Sequence, residues 1–166
     1  MALGVAVDNS VLGDLIDHRL PENKRADRHA FEDMIELDKQ GIIEIGIPIS
    51  STMIEEGGAG AKKRQLLREK MGQTFRLWPV AVSQIMHSDI ERKKKCLQEI
   101  MQDKEGIDSA NLLVSTIYTP YYVTTDYRYC RHFKAQLTKI QIKCDINVFV
   151  LTPSEFMEKY KSGEIK

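Results

Sequence analysis

The sequence predicts an α/β protein, a three-layer α/β/α sandwich with a mainly parallel central sheet. Three observations carry this expectation. Short apolar runs recur along the chain: LGVAV at 3–7, IIEIGIPIS at 42–50, YYVTT at 121–125 and INVFVLTP at 146–153. Stretches with apolar residues at helical intervals separate them, and strands alternating with helices imply a parallel sheet covered on both faces. The chain has 166 residues, 42% hydrophobic and 29% charged, which suits one domain with a core of its own.

The elements run in order along the chain. LGVAV is short, apolar and ended by polar residues, as a buried strand should be. Residues 11–18 read as a short helix or turn. Pro21 then opens a helix in which Ala26, Ala30, Phe31, Met34, Ile35 and Leu37 recur at helical spacing, with Gly41 as its stop. The second strand, 42–50, contains Pro48, which implies a sheet edge or a strand end. SSTMIEE carries hydroxyl residues ahead of acids, the pattern of a helix start, and the glycines of GGAGA weaken that helix. Residues 62–73 read as a basic helix, and FRLWPVAV at 75–82 as a short strand or an extended link. Residues 83–102 read as one amphipathic helix, and a further apolar helix starts near Asp108. YYVTT leads into DYRYCRHFKAQLTK, read as loop and short helix. INVFVLTP is the last strand, and Pro153 sits in the first turn of a closing helix capped by Thr152.

Bulk properties narrow the function. Lys+Arg and Asp+Glu number 24 each, so the formal net charge is zero. This argues against a strongly basic nucleic-acid coat but leaves room for a local basic groove. Cys96, Cys130 and Cys144 are odd in number and widely spaced, without a CxxC, and read as free thiols of a reducing compartment. The N-terminal run breaks at Asp8 without a positive region before it, unlike a signal peptide. No run reaches the roughly 18 apolar residues of a membrane span. The expectation is a cytoplasmic protein. Its organisation is expected to be one domain, 1–166, with a helical insert at about 57–104.

Acids mark the strand ends. Asp8 follows the first strand and Asp126 the YYVTT strand, so a parallel sheet would place both on its carboxyl edge, where α/β sites form. Asp108 begins the helix that feeds the Asp126 strand, and Glu55 lies in the helix expected after the second strand. Singly, each has an ordinary structural use: helix N-cap for Asp8 or Asp108, first-turn acid for Glu55, turn residue for Asp126. Together, four converging carboxylates would repel unless a cation offset them. Hard oxygen donors in incomplete number suit Mg²⁺ or Mn²⁺, and such a site suits hydrolysis of a phosphodiester.

These segments resemble the PIN-domain ribonucleases, the family that includes the VapC-type toxins. The resemblance lies in AVDNSVL, ISSTMIEEGGAG, IDSANLLVSTIY, YYVTTDYRY and VFVLTPSEFME, in family order and spanning nearly the whole chain. It implies a PIN-like fold and a Mg²⁺- or Mn²⁺-dependent endoribonuclease leaving 5′-phosphate and 3′-hydroxyl ends. Asp8, Glu55, Asp108 and Asp126 would be the catalytic, metal-binding acids, with Ser10 and Thr125 as polar neighbours. Glu55 is preferred to Glu56 because Thr52-x-x-Glu55 matches the family spacing. RNA is the implied partner, with an antitoxin protein and a second copy of the chain as further candidates and no membrane. The long 57–104 segment departs from the minimal toxins.

Basic residues near the acids complete the picture. Arg128, Arg131, His132 and Lys134 flank Asp126, with Arg128 and Arg131 as candidate substrate-binding residues, and Tyr127 and Tyr129 as candidate stacking platforms for bases. KKRQLLREK and ERKKK are further basic runs that read first as solvated helix faces and only second as phosphate contacts. The alternative to a nuclease is a PIN-like module that binds RNA or protein without cutting.

Overall fold

Side chains alternate faces along a strand, and two separate apolar layers record that alternation. In the computed structural model, which describes residues 1–8, 11, 22–50, 76–80, 88–104 and 107–166, β1 (Leu3–Val7) sends Val5 and Val7 into one core and Ala6 into another. β4 (Tyr121–Val123) and β5 (Phe149–Leu151) divide likewise, with Val123 and Leu151 on the first side and Tyr122 and Val150 on the second. With β2 (Ile43–Ser50) and β3 (Arg76–Val80) they form a five-stranded sheet in the order β3-β2-β1-β4-β5, parallel at every pairing.

Helices cover both faces. A 3-10 turn, Glu22–Lys24, leads into α1 (Arg25–Lys39), whose Ala30, Phe31, Met34 and Ile35 form a buried stripe at helical spacing. Fully burying a side chain such as Phe31 contributes roughly 1.5–3 kcal/mol. Gly41, at φ 71°, turns the chain out of α1 toward β2 in a conformation that favours glycine. On the same face lies α6 (Pro153–Ser162), which supplies Phe156 and Met157. The opposite face carries α2 (Ser88–Met101), α3 (Ile107–Thr116), α4 (Tyr127–Ala135) and α5 (Leu137–Cys144), through Leu97, Leu112, Phe133 and Ile140 among others. The helix between β1 and β2 thus lies on one face, and those leading to β4 and β5 on the other. Right-handed crossovers require this when the direction of travel across the sheet reverses.

The three-layer α/β arrangement therefore matches the expectation, with four local corrections. Residues 76–80 pair with β2, which bears out the strand alternative for 75–82 and means that the range expected as a helical insert is not helical throughout. Pro48 lies near the carboxyl end of an interior strand, so the strand-end alternative holds and the edge one does not. The β1 pairing ends at Ala6 with Gly46, so the half of β2 that contains Pro48 has lost its neighbour on that side. Pro79, in turn, lies in an edge strand, where proline is tolerated. The segment after Asp126 is two consecutive helices, not a loop with one short helix.

The fourth correction concerns the thiols. Cys96 of α2 and Cys144 of α5 form a disulfide across a sequence separation of 48, and Cys130 is the free cysteine. Sequence distance concealed the pair, but α2 and α5 pack together and bring the two Cα atoms to 5.6 Å, within the range a bridge requires. Disulfides persist in oxidising environments, so the expectation of a reducing cytoplasm loses the support it drew from free thiols. Among the described residues no helix is long and apolar enough to cross a membrane.

Candidate functional site

The strand order reverses at β1. The chain moves from β1 outward to β2 and β3, then returns to place β4 on the other side of β1. Crossovers diverge at such a switch point and leave a crevice beyond the carboxyl ends of the two central strands. Asp8 and Asp126 stand at those ends. The Asp8 amide donates to the carbonyl of Val123 at 2.9 Å, which extends the β1–β4 ladder by one residue and fixes the Asp8 backbone against β4.

One hydroxyl joins the Asp8 carboxylate to the backbone of Asp126. Thr124 Oγ1 donates to Asp8 Oδ2 at 3.1 Å and accepts from the Asp126 amide at 3.0 Å. Thr124 continues the parity of Tyr122 along β4, and Asp8 that of Ala6 along β1, so both belong to the face covered by α3. The sequence points to Thr125 instead. Thr125 is buried beside the link, but the bridging hydroxyl is one residue earlier.

Asp126 is the N-cap of α4, its Oδ1 accepting from the Tyr129 amide at 3.0 Å. This realises its ordinary structural use. A carboxylate offers two oxygens, however, and capping through Oδ1 engages only one of them. Asp108 is the second residue of α3, inside the helix rather than at its N-cap. The capping role there falls to Asp103, whose Oδ2 accepts from the Ser109 amide at 2.9 Å. Because α3 feeds the amino end of β4, its first turn lies toward the carboxyl edge of the sheet. Glu55, Glu56 and Ser10 lie outside the described residues. The structure thus links the Asp8 carboxylate to the Asp126 backbone through Thr124. Among the described residues no three acidic, histidine or cysteine side chains form a metal set. The donor chemistry of Asp8 and Asp126, hard carboxylate oxygen, fits Mg²⁺ or Mn²⁺.

The basic and aromatic neighbours divide. Arg128 and Arg131 are exposed and three residues apart, hence adjacent on one face of α4. Lys134 pairs with Glu155 of α6 rather than standing ready for a phosphate. Tyr129 stacks on Phe133 with ring centroids 6.4 Å apart, which disfavours it as a base platform. Tyr127 is held as well: its hydroxyl donates to Asp27 Oδ2 at 2.6 Å, and Lys24 Nζ lies 4.2 Å from its ring centre.

Asp27 is a residue that sequence reading missed. It lies in the first turn of α1, is only 6% exposed, and accepts through Oδ1 from the Ser154 amide at 2.9 Å. Burial raises its pKa, but hydrogen bonds from Tyr127 and Ser154 and the charge of Lys24 outweigh that effect and leave the carboxyl below its usual value. The signal was present in the helical phase: residues 27, 30, 31, 34 and 35 share one stripe, so an acid heads an otherwise apolar face. No protein-family model matches this chain, and no curated protein or solved structure shows significant similarity to it.

Proposed function

We propose that this chain is a Mg²⁺- or Mn²⁺-dependent endoribonuclease of PIN type. The observation that supports the reading most directly is the Thr124 hydroxyl bond to Asp8 and its acceptance from the Asp126 amide, across the sheet's switch point. Asp8 and Asp126 would hold the cation, with Asp108 and Glu55 completing the set. Bound there, a divalent ion would activate water and offset charge on the phosphodiester. Thr124 keeps the Asp8 carboxylate oriented and sets the backbone position of Asp126. Asp126 is also held by its cap to Tyr129, which limits the rotamers it samples. Arg128 and Arg131, exposed on the helix that Asp126 starts, would contact backbone phosphates of single-stranded RNA.

The test combines binding and turnover. Calorimetry should record Mn²⁺ uptake by the wild type and its loss in Asp8→Asn. Cleavage of a mixed RNA pool with Mn²⁺ should fall by at least about a hundredfold in Asp108→Asn. Equal cutting by wild type and variant would end the nuclease reading. Asp126 as a helix cap is a role complete without any metal, and it favours one second reading, a PIN-like module that binds RNA without cutting. RNA retention with neither Mn²⁺ uptake nor cleavage would select that reading.

A further inference from the structure

Asp27 is a buried carboxylate with both oxygens hydrogen-bonded. Buried acids are costly, and replacing one with a well-packed apolar group is often neutral or stabilising. A buried acid bonded to two helix starts that follow sheet strands therefore invites a functional explanation. Its contacts are specific. One oxygen holds the first turn of α6, through the Ser154 amide, and the other holds the first residue of α4, through the Tyr127 hydroxyl. Those two helices start immediately after β5 and β4, so Asp27 ties together chain segments that leave the carboxyl edge of the sheet. Lys24, the residue before α1, closes over the Tyr127 ring.

The next bond along the chain reaches the site. Tyr127 follows Asp126, whose amide bonds Thr124 and whose carboxylate caps Tyr129. A continuous path therefore runs from Asp27 through Tyr127 and Asp126 to Thr124 and Asp8. Displacement of the Tyr127 side chain would move the N-terminus of α4, and with it the turn whose Tyr129 amide orients the Asp126 carboxylate.

We infer that Asp27 is a positioning residue: through Tyr127 it fixes the start of α4 and so the orientation of Asp126 toward a bound cation. This inference rests on the reading of Asp8 and Asp126 as metal ligands. Groups that orient ligands without touching the metal cost roughly 10- to 100-fold in affinity when removed, and the indirect route here places the expectation near the lower figure.

Tyr127→Phe tests it with minimal disturbance, since the ring is kept and only the hydroxyl is lost. Asp27→Asn is the second variant and should act in the same direction. Two measurements on the full chain separate the outcomes: Mn²⁺ affinity by calorimetry, and hydrogen exchange at the Tyr129 amide, the group that Asp126 caps. The expected result is a roughly tenfold loss of Mn²⁺ affinity with faster Tyr129 exchange, while core amides such as Val5 and Ile45 keep their protection. Unchanged affinity and unchanged Tyr129 exchange would overturn the inference, as would a loss of protection throughout the core, which would make Asp27 a fastener of the fold alone. If the wild type takes up no Mn²⁺, the metal-ligand reading fails, and with it the cation-orienting role of Asp27. Faster Tyr129 exchange in Tyr127→Phe would then mark only a structural link.

Discussion

A carboxylate removed from water loses free energy of hydration that only hydrogen bonds or a nearby cation can replace. Asp27 has both, from Tyr127, Ser154 and Lys24, and its pKa in the folded protein lies below the ordinary value. A depressed carboxyl pKa stabilises the fold fully above the unfolded-state value, near 3.9 for Asp, and that contribution disappears as pH falls through the folded value. The stability difference between wild type and Asp27→Asn should therefore be about 1–3 kcal/mol at pH 7. It should shrink below about pH 4. Urea unfolding of both proteins at neutral and acid pH measures it, and an equal difference at both would contradict the assignment. The two strand-end acids were legible because a parallel sheet puts all its carboxyl ends on one edge. Thr124 and Asp27 were not, because their roles depend on which neighbour each faces. A threonine pair in sequence does not reveal which member points toward Asp8.

Among the elements, α6 was the most legible. Thr152 Oγ1 accepts from the Glu155 amide at 3.3 Å, Glu155 Oε2 accepts from the Thr152 amide at 2.9 Å, and Pro153 sits in the first turn. All three parts of this capping box are adjacent in sequence, so local chemistry suffices to read them. The α4–α5 pair was hidden for the opposite reason: the break at Gln136 has neither glycine nor proline to announce it. The Cys96–Cys144 bridge was hidden because it joins α2 to α5, which meet only when the sheet has formed. A cross-link closing a loop of that length should contribute about 2–4 kcal/mol. Unfolding with dithiothreitol present should show this loss. A Cys96→Ala/Cys144→Ala variant should show a similar loss and no further response to reductant.

At the scale of the whole molecule, the α/β class and its three layers were readable from the alternation of apolar runs with helical periodicity. The order β3-β2-β1-β4-β5 was not, since any of several orders would bury the same strands equally well. That order is what makes β1 and β4 neighbours and so brings Asp8 to Thr124. Placement on the sheet also depends on parity. Val5 and Val7 belong to the core beneath α1, Ala6 to the one beneath α3, and Asp8 follows the even-numbered side.

Strands count in twos, and this gives β1 a strict arithmetic. A single alanine inserted between Val7 and Asp8 would leave every apolar side chain of the strand in place yet turn the acid over to the α1 side. Thermal melting should then report an intact fold, and Mn²⁺ calorimetry an empty isotherm. The chemical identity of the aspartate would be preserved while its usefulness vanished, because an odd number had been added where only an even one keeps the sense of direction.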